Sequence, residues 1–192
     1  DPFVKVAERQ GKGVVVLART SNPGSQDFQA RLVDGEPLYL HVARALQPMI
    51  RRLRGEGGWS GLMLVAGATG PEDARRLREA AGDALFLVPG YGAQGAGAQQ
   101  AVAGFVRRCA LLEGGVVNAS RSVASPSGSL DAASAADWEA RIDAALGAAQ
   151  ASLDLLGLAP DPSAPAGVRR WIWTAPDAPI RASSASKARR LR

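Results

Sequence analysis

The residues best suited to chemistry lie in two loops of contrasting composition. Leu85 to Gln99 (LFLVPGYGAQGAGAQ) runs from an apolar segment into a loop in which Gly90, Gly92, Gly95 and Gly97 surround Gln94. Glycine lets a backbone approach a ligand closely, and a loop that opens a helix aims free N–H groups at an anion. Further on, GGVVNA leads into Ser120-Arg121-Ser122, which sets a guanidinium at the mouth of a strand, where it can hold a phosphate through two parallel hydrogen bonds. A glycine-rich loop and an arginine loop after successive strands are the means by which (β/α)8 barrels bind phosphate. The Gln94 amide can donate to the same anion, whereas Tyr91 reads equally as a packing residue at the loop base or as a ligand. After the first apolar run, Ala18-Arg19-Thr20-Ser21-Asn22-Pro23-Gly24 offers hydroxyls and amides to a polar ring, although alone it reads as a turn.

The elements that must position these loops recur in a strand–helix rhythm. Val14–Ala18, Leu62–Ala66, Leu85–Val88 and Val116–Asn118 are nearly continuous apolar runs of strand length, the pattern of parallel strands buried on both faces. Between them, Gly35-Glu36-Pro37 opens a helix whose expected buried stripe is Leu38, Val42, Ala45, Leu46, Met49, Ile50 and Leu53. Thr69-Gly70-Pro71-Glu72-Asp73 opens another, with a capping residue, a first-turn proline and acids near the positive helix end. Ser134 to Leu156 gives the longest helix, with Trp138, Ile142, Leu146, Ala149 and Leu153 on one side. The order implies an α/β fold with a parallel sheet. Four such units make the carboxyl-terminal half of a TIM (β/α)8 barrel, expected over residues 1–158, preceded by a charged helix at Asp1–Gln10. Residues 159–192 read as a Pro/Ala-rich linker and a basic tail without period, expected to be disordered.

Charge and the rarer residues narrow the function. The net charge is +5, but residues 167–192 carry seven basic residues against Asp177, so residues 1–166 hold 16 basic against 17 acidic residues, a balance of −1. A basic face for nucleic acid would need positive charge on the folded body, so nucleic acid is not an expected partner. The single Cys109 sits in FVRRCALLEG, read as an apolar helical run that buries an inert thiol, and His41 falls on a helix away from the loops. One cysteine, one histidine and scattered acids supply no metal-ligand spacing. No apolar run reaches the roughly 18 residues of a membrane span, and DPFVKVAERQ is not a secretory signal. A cytoplasmic protein is expected. No P-loop motif is present, and GYGAQG lacks the acidic partner of a dinucleotide fold.

In order, GKGVVVLARTSNPGS, LVAGATGPEDARRLRE, FLVPGYGAQGAG and VVNASRSV resemble the orotidine 5′-phosphate decarboxylases, in their actinobacterial-type branch, over residues 1–158. The resemblance implies a (β/α)8 barrel that converts orotidine monophosphate to uridine monophosphate without metal or organic cofactor, dimeric when full length. It implies that Ser21 contacts the pyrimidine and that Gln94, in the loop with Gly92 and Gly95, reaches the phosphate. Arg121 would hold the phosphate, assisted by the backbone N–H groups of Ser120 and Arg121. Ala96 stands where a second loop glycine is usual. The family's proton-donating lysine lies in a D-x-K-x-x-D motif, and neither Lys5, Lys12 nor Lys187 occurs in one. The catalytic residues are therefore expected upstream of Asp1, and these 192 residues alone are expected to be inactive. The alternatives are another phosphate-binding barrel, of the sugar-phosphate epimerase or aldolase type, and a non-catalytic phosphate-binding fragment.

Overall fold

The computed structural model describes residues 2–108 and 111–158. Cys109 and the expected linker and tail at 159–192 lie outside the described residues. The chain begins with α1 (Pro2–Gln10) and β1 (Val14–Arg19), followed by the single turn α2 (Ser25–Phe28). A small hairpin, β2 (Leu32–Val33) and β3 (Glu36–Pro37), precedes α3 (Leu38–Ala45) and α4 (Gln47–Arg52). Then come β4 (Ser60–Ala66), α5 (Pro71–Ala80), β5 (Ala84–Val88) and the short α6 (Ala98–Ala101). A second hairpin, β6 (Val106–Arg108) and β7 (Leu111–Glu113), leads to β8 (Gly115–Val117), α7 (Arg121–Ala124) and the long α8 (Ala135–Leu153).

Strands β1, β4, β5 and β8 form one sheet in that order, and every pair is parallel. All four carboxyl ends, and so all the loops named above, share one edge, which is where open and closed α/β sheets bind ligands. The core lies between the sheet and the helices. Leu62, Leu64, Ala66, Phe86 and Val88 pack there against Tyr39, Leu40, Ala43, Ile50 and Leu77, all essentially removed from solvent. The opposite sheet face carries Val15, Leu17, Met63, Val65, Leu87 and Val116 in register. Val15 and Leu17 of the edge strand stay 51% and 65% exposed. The architecture is thus half of a (β/α)8 barrel, helices outside and the barrel's inner face uncovered among the described residues.

Three expectations need correcting. The outer strands are not buried on both faces, because no second layer among the described residues covers the inner side of β1 and β8. The stripe expected from Leu38 to Leu53 holds at Leu46, Met49, Ile50 and Leu53, which reach the core, but is rotated in α3. The helix breaks at Leu46, where Pro48 opens a new one, and Tyr39, Leu40 and Ala43 face the core while Leu38 and Ala45 face out. The inward Tyr39 is stabilised because its hydroxyl donates to Asp73 Oδ1 at 2.9 Å. Finally, of the run expected to be helical, Val106–Arg108 and Leu111–Glu113 are the strands β6 and β7. The helix after the glycine loop stops at Ala101, and Gly104 packs so tightly that a β-carbon would lie 2.8 Å from the Phe86 ring and 2.9 Å from the Ala74 carbonyl.

Candidate phosphate-binding edge

Three strand ends converge on Ser21. A β-carbon at Gly67, just beyond β4, would lie 2.6 Å from the Ser21 nitrogen and 2.7 Å from the Thr20 carbonyl carbon. One at Gly90, just beyond β5, would lie 2.7 Å from Ser21 Cβ and 3.1 Å from its Oγ. Only glycine fits at Gly67 and Gly90, and Gly90 also holds φ +99°. Ser21 is consequently buried, with its carbonyl accepting a 3.0 Å hydrogen bond from Thr69 Oγ1. Thr69 therefore does not cap α5, as its position suggested; Gly70 occupies the cap and Thr69 ties two strand ends together.

The turn that carries Ser21 is fixed from both sides. Gln29 Oε1 accepts from the Thr20 N–H at 2.8 Å. On the helix side, Arg19 is 4% exposed and its Nε donates to Asp73 Oδ2 at 2.8 Å. Burial pushes the Tyr39 phenol up to about 12, and its hydrogen bond to Asp73 and that carboxylate's charge act the same way. The Arg19–Asp73–Tyr39 cluster locks the end of β1 to the start of α5.

The glycine loop folds back on itself. Gly92 N donates to the Ala96 carbonyl at 2.9 Å and Gly95 N to the Gly92 carbonyl at 2.8 Å, so residues 91–96 close a tight turn. Gly92 and Gly95 hold φ +73° and +89°, conformations that favour glycine. Nothing lies within 4 Å of the space a Gly95 β-carbon would take, so its backbone is open to a ligand. Ala96 is buried in the core, which explains why a side chain is tolerated there. Gln94 is exposed, and its Oε1 lies 3.3 Å from a β-carbon position at Gly90, near Ser21. Tyr91 is half-buried against the core with its hydroxyl 2.6 Å from Ser152 Oγ on α8, a packing position.

Next to this loop, β8 ends and α7 begins. Ser120 is exposed and donates to Asn118 Oδ1 at 3.1 Å. Arg121 is exposed and its side chain makes no hydrogen bond or ion pair among the described residues, leaving its guanidinium for an anion. Ser122 touches the glycine loop directly: a β-carbon at Gly92 would lie 2.7 Å from its Oγ. The structure brings Ser21, Gly90 and Gln94 together, and separately Gly92 and Ser122, while the Arg121 side chain stands free beside them. His41 plays no part; its Nε2 is 2.8 Å from the Val33 carbonyl. The roles of Gly67, Thr69 and Asp73 were not read from sequence, although the carboxyl-edge position of Gly67 after LMLVA was the available signal.

Two cavities lie away from this edge. One of about 530 Å³ is lined by Glu36, Leu40, Arg44, Gln47, Arg76 and Glu79 between α3 and α5, and another of about 420 Å³ lies between α1 and β1. No cluster of metal-ligating residues occurs among the described residues, and no described helix is long and apolar enough to cross a membrane.

Fold and loops together define a partial (β/α) barrel with a glycine-rich loop and an arginine-bearing loop at its carboxyl edge. Comparison with known proteins shows which proteins the chain is similar to. The chain is 38% identical over 124 residues to the orotidine 5′-phosphate decarboxylase of Clostridium perfringens, a match covering 64% of this chain and 42% of the relative. It is 44% identical over 128 residues to that of Halorubrum lacusprofundi, with the same coverage. The chain thus spans about two fifths of the length of these curated relatives. A solved Leishmania donovani OMP decarboxylase superposes with a TM-score of 0.55 at 30% identity, covering 80% of this chain and 52% of that one. No family model matches the chain. The resemblance carried by the four sequence motifs is borne out, and with it the half-barrel fold.

Proposed function

We propose that residues 1–158 form the phosphate- and pyrimidine-gripping part of an orotidine 5′-phosphate decarboxylase, with 159–192 a separate linker and basic tail. In this reading Ser21 contacts the pyrimidine, and Gln94 with the Gly92–Gly95 backbone closes over the phosphate. Ser120 and Arg121 hold the phosphate from the neighbouring loop. The observation that carries the reading is the convergence at one sheet edge of Ser21 beneath Gly67 and Gly90, a glycine turn open at Gly95, and an uncommitted arginine. The similarity to named decarboxylases over 124 residues supports it.

Binding at the non-reacting phosphate can organise the reacting centre, so a site without acid–base groups still contributes to rate. Expelling carbon dioxide and protonating the resulting carbanion falls to charged residues outside these loops, since no lysine among the described residues lies at this edge. The intact enzyme is read as a cytoplasmic homodimer that needs no metal or organic cofactor. A sugar-phosphate barrel would share the phosphate loops but gains no support from the relatives. The test is product formation: the 192-residue chain incubated with orotidine monophosphate yields no uridine monophosphate. Turnover by this chain alone would overturn the division of labour.

A further inference from the structure

Two buried side-chain polar atoms lack a partner among the described residues, Arg19 Nη1 and Ser122 Oγ. Arg19 is otherwise engaged through Nε with Asp73 and lies beside the Tyr39 ring. Ser122 has no such explanation. Its hydroxyl is pressed against the glycine turn, with Oγ and Cβ 2.7 and 2.8 Å from a β-carbon position at Gly92. Buried hydroxyls are nearly always paired, and one left unpaired destabilises the fold that contains it. The group next in the chain is Arg121, whose side chain is also unengaged. Two unengaged donors on adjacent residues, both beside a left-handed glycine turn, share one missing acceptor.

We propose that Ser122 is a further phosphate contact, an inference that rests on the phosphate-binding reading above. Without ligand, the turn at residues 91–96 lies over the hydroxyl. The turn is anchored by Tyr91 and the buried Ala96, but a serine hydroxyl can turn among three staggered positions. On binding, the Ser122 side chain turns out from beneath the glycine turn and Oγ–H donates to a phosphate oxygen held by Arg121 and Gln94. The site then has a side-chain donor from each end of the arginine loop.

Calorimetric titration of the full chain and of Ser122→Ala with uridine monophosphate and with inorganic phosphate tests this, alongside urea unfolding. The expected result is an affinity loss of about tenfold for both ligands in Ser122→Ala, since a hydrogen bond to a charged group is lost. Its urea midpoint should be unchanged or higher, because an orphaned hydroxyl has been removed. If the parent binds neither ligand, the phosphate reading fails and this inference with it. If the parent binds and Ser122→Ala binds within twofold of it, the role of Ser122 is refuted while the phosphate reading stands. A lowered urea midpoint in Ser122→Ala would show that the hydroxyl serves the fold, and would also overturn the inference.

Discussion

Replacing Arg78 with methionine tests how the half barrel holds its strands in place below the binding edge. Arg78 reaches from α5 across the amino ends of the strands. Its Nε donates to the Gly104 carbonyl at 2.8 Å, Nη1 to those of Gly82 and Ala84 at 2.7 and 2.6 Å, and Nη2 to that of Gly114 at 2.7 Å. The guanidinium also lies 3.9 Å from the Phe86 ring centroid and 5.1 Å from that of Trp59. Burial lowers its pKa from 12.5 to about 10, and the charge of Arg108 acts in the same direction, against Asp83. That depression corresponds to roughly 3 kcal/mol against the buried cation at neutral pH. Four bonds from a charged donor, at about 1.5 kcal/mol each, outweigh it by about 3 kcal/mol. Stacking on the two rings adds about 1 kcal/mol. Arg78→Met keeps apolar contact with Phe86 but takes the charged donor from four carbonyls, of which Gly114 keeps its bond from the Phe86 N–H, so a loss of about 3 kcal/mol is expected, or roughly 10 °C in Tm. Urea unfolding read by tryptophan fluorescence measures it, and Arg78→Lys should fall between the two, since an ammonium cannot span all four acceptors. A Met variant within about 0.5 kcal/mol of the parent would refute the idea that this cation staples β5, β8 and α5.

Two further outcomes follow from the binding edge. Gly67→Ala drives a methyl group into the Ser21 and Thr20 backbone, so it should cost about 1–3 kcal/mol in urea unfolding and abolish the tight approach of Ser21 to β4. Tyr39 ionises only near pH 12, seen as late growth of phenolate absorbance. Because its folded pKa lies above the unfolded value of 10.0, the stability it supplies is complete below pH 10 and is lost as pH rises from 10 towards 12. The parent's urea midpoint should decline through that window more steeply than that of Tyr39→Phe.

Much of this molecule was legible because its signals were local. Each central strand is a short apolar run followed by a turn, and Gly90, Gly92 and Gly95 mark left-handed backbone that few other residues adopt. Arg121 was legible because a charge directly after an apolar strand can only lie at the sheet edge. What escaped the sequence depends on long-range packing. The phase of α3 turns on Tyr39 meeting Asp73 across 34 residues, and the pairing of β6 with β7 follows the point where Gly104 must press on Phe86. Thr69 has the composition of a cap but spends its hydroxyl on Ser21, 48 residues away. Arg78 reads as an ordinary helix arginine until its four carbonyl acceptors are assembled by the fold.

The most direct measurement is an amide-resolved NMR titration of the chain with uridine monophosphate, with uridine as the control. If this edge grips a nucleotide phosphate, shifts should concentrate at Ser21, Gly90 to Gly95, Ser120 and Arg121. Uridine should leave the glycine turn and Arg121 unmoved, and Arg121→Ala should weaken nucleotide binding at least about tenfold, as expected for loss of a charged hydrogen-bond donor. Identical shifts with uridine and uridine monophosphate, or shifts gathered at the cavity between α3 and α5, would contradict the assignment of the phosphate to these loops.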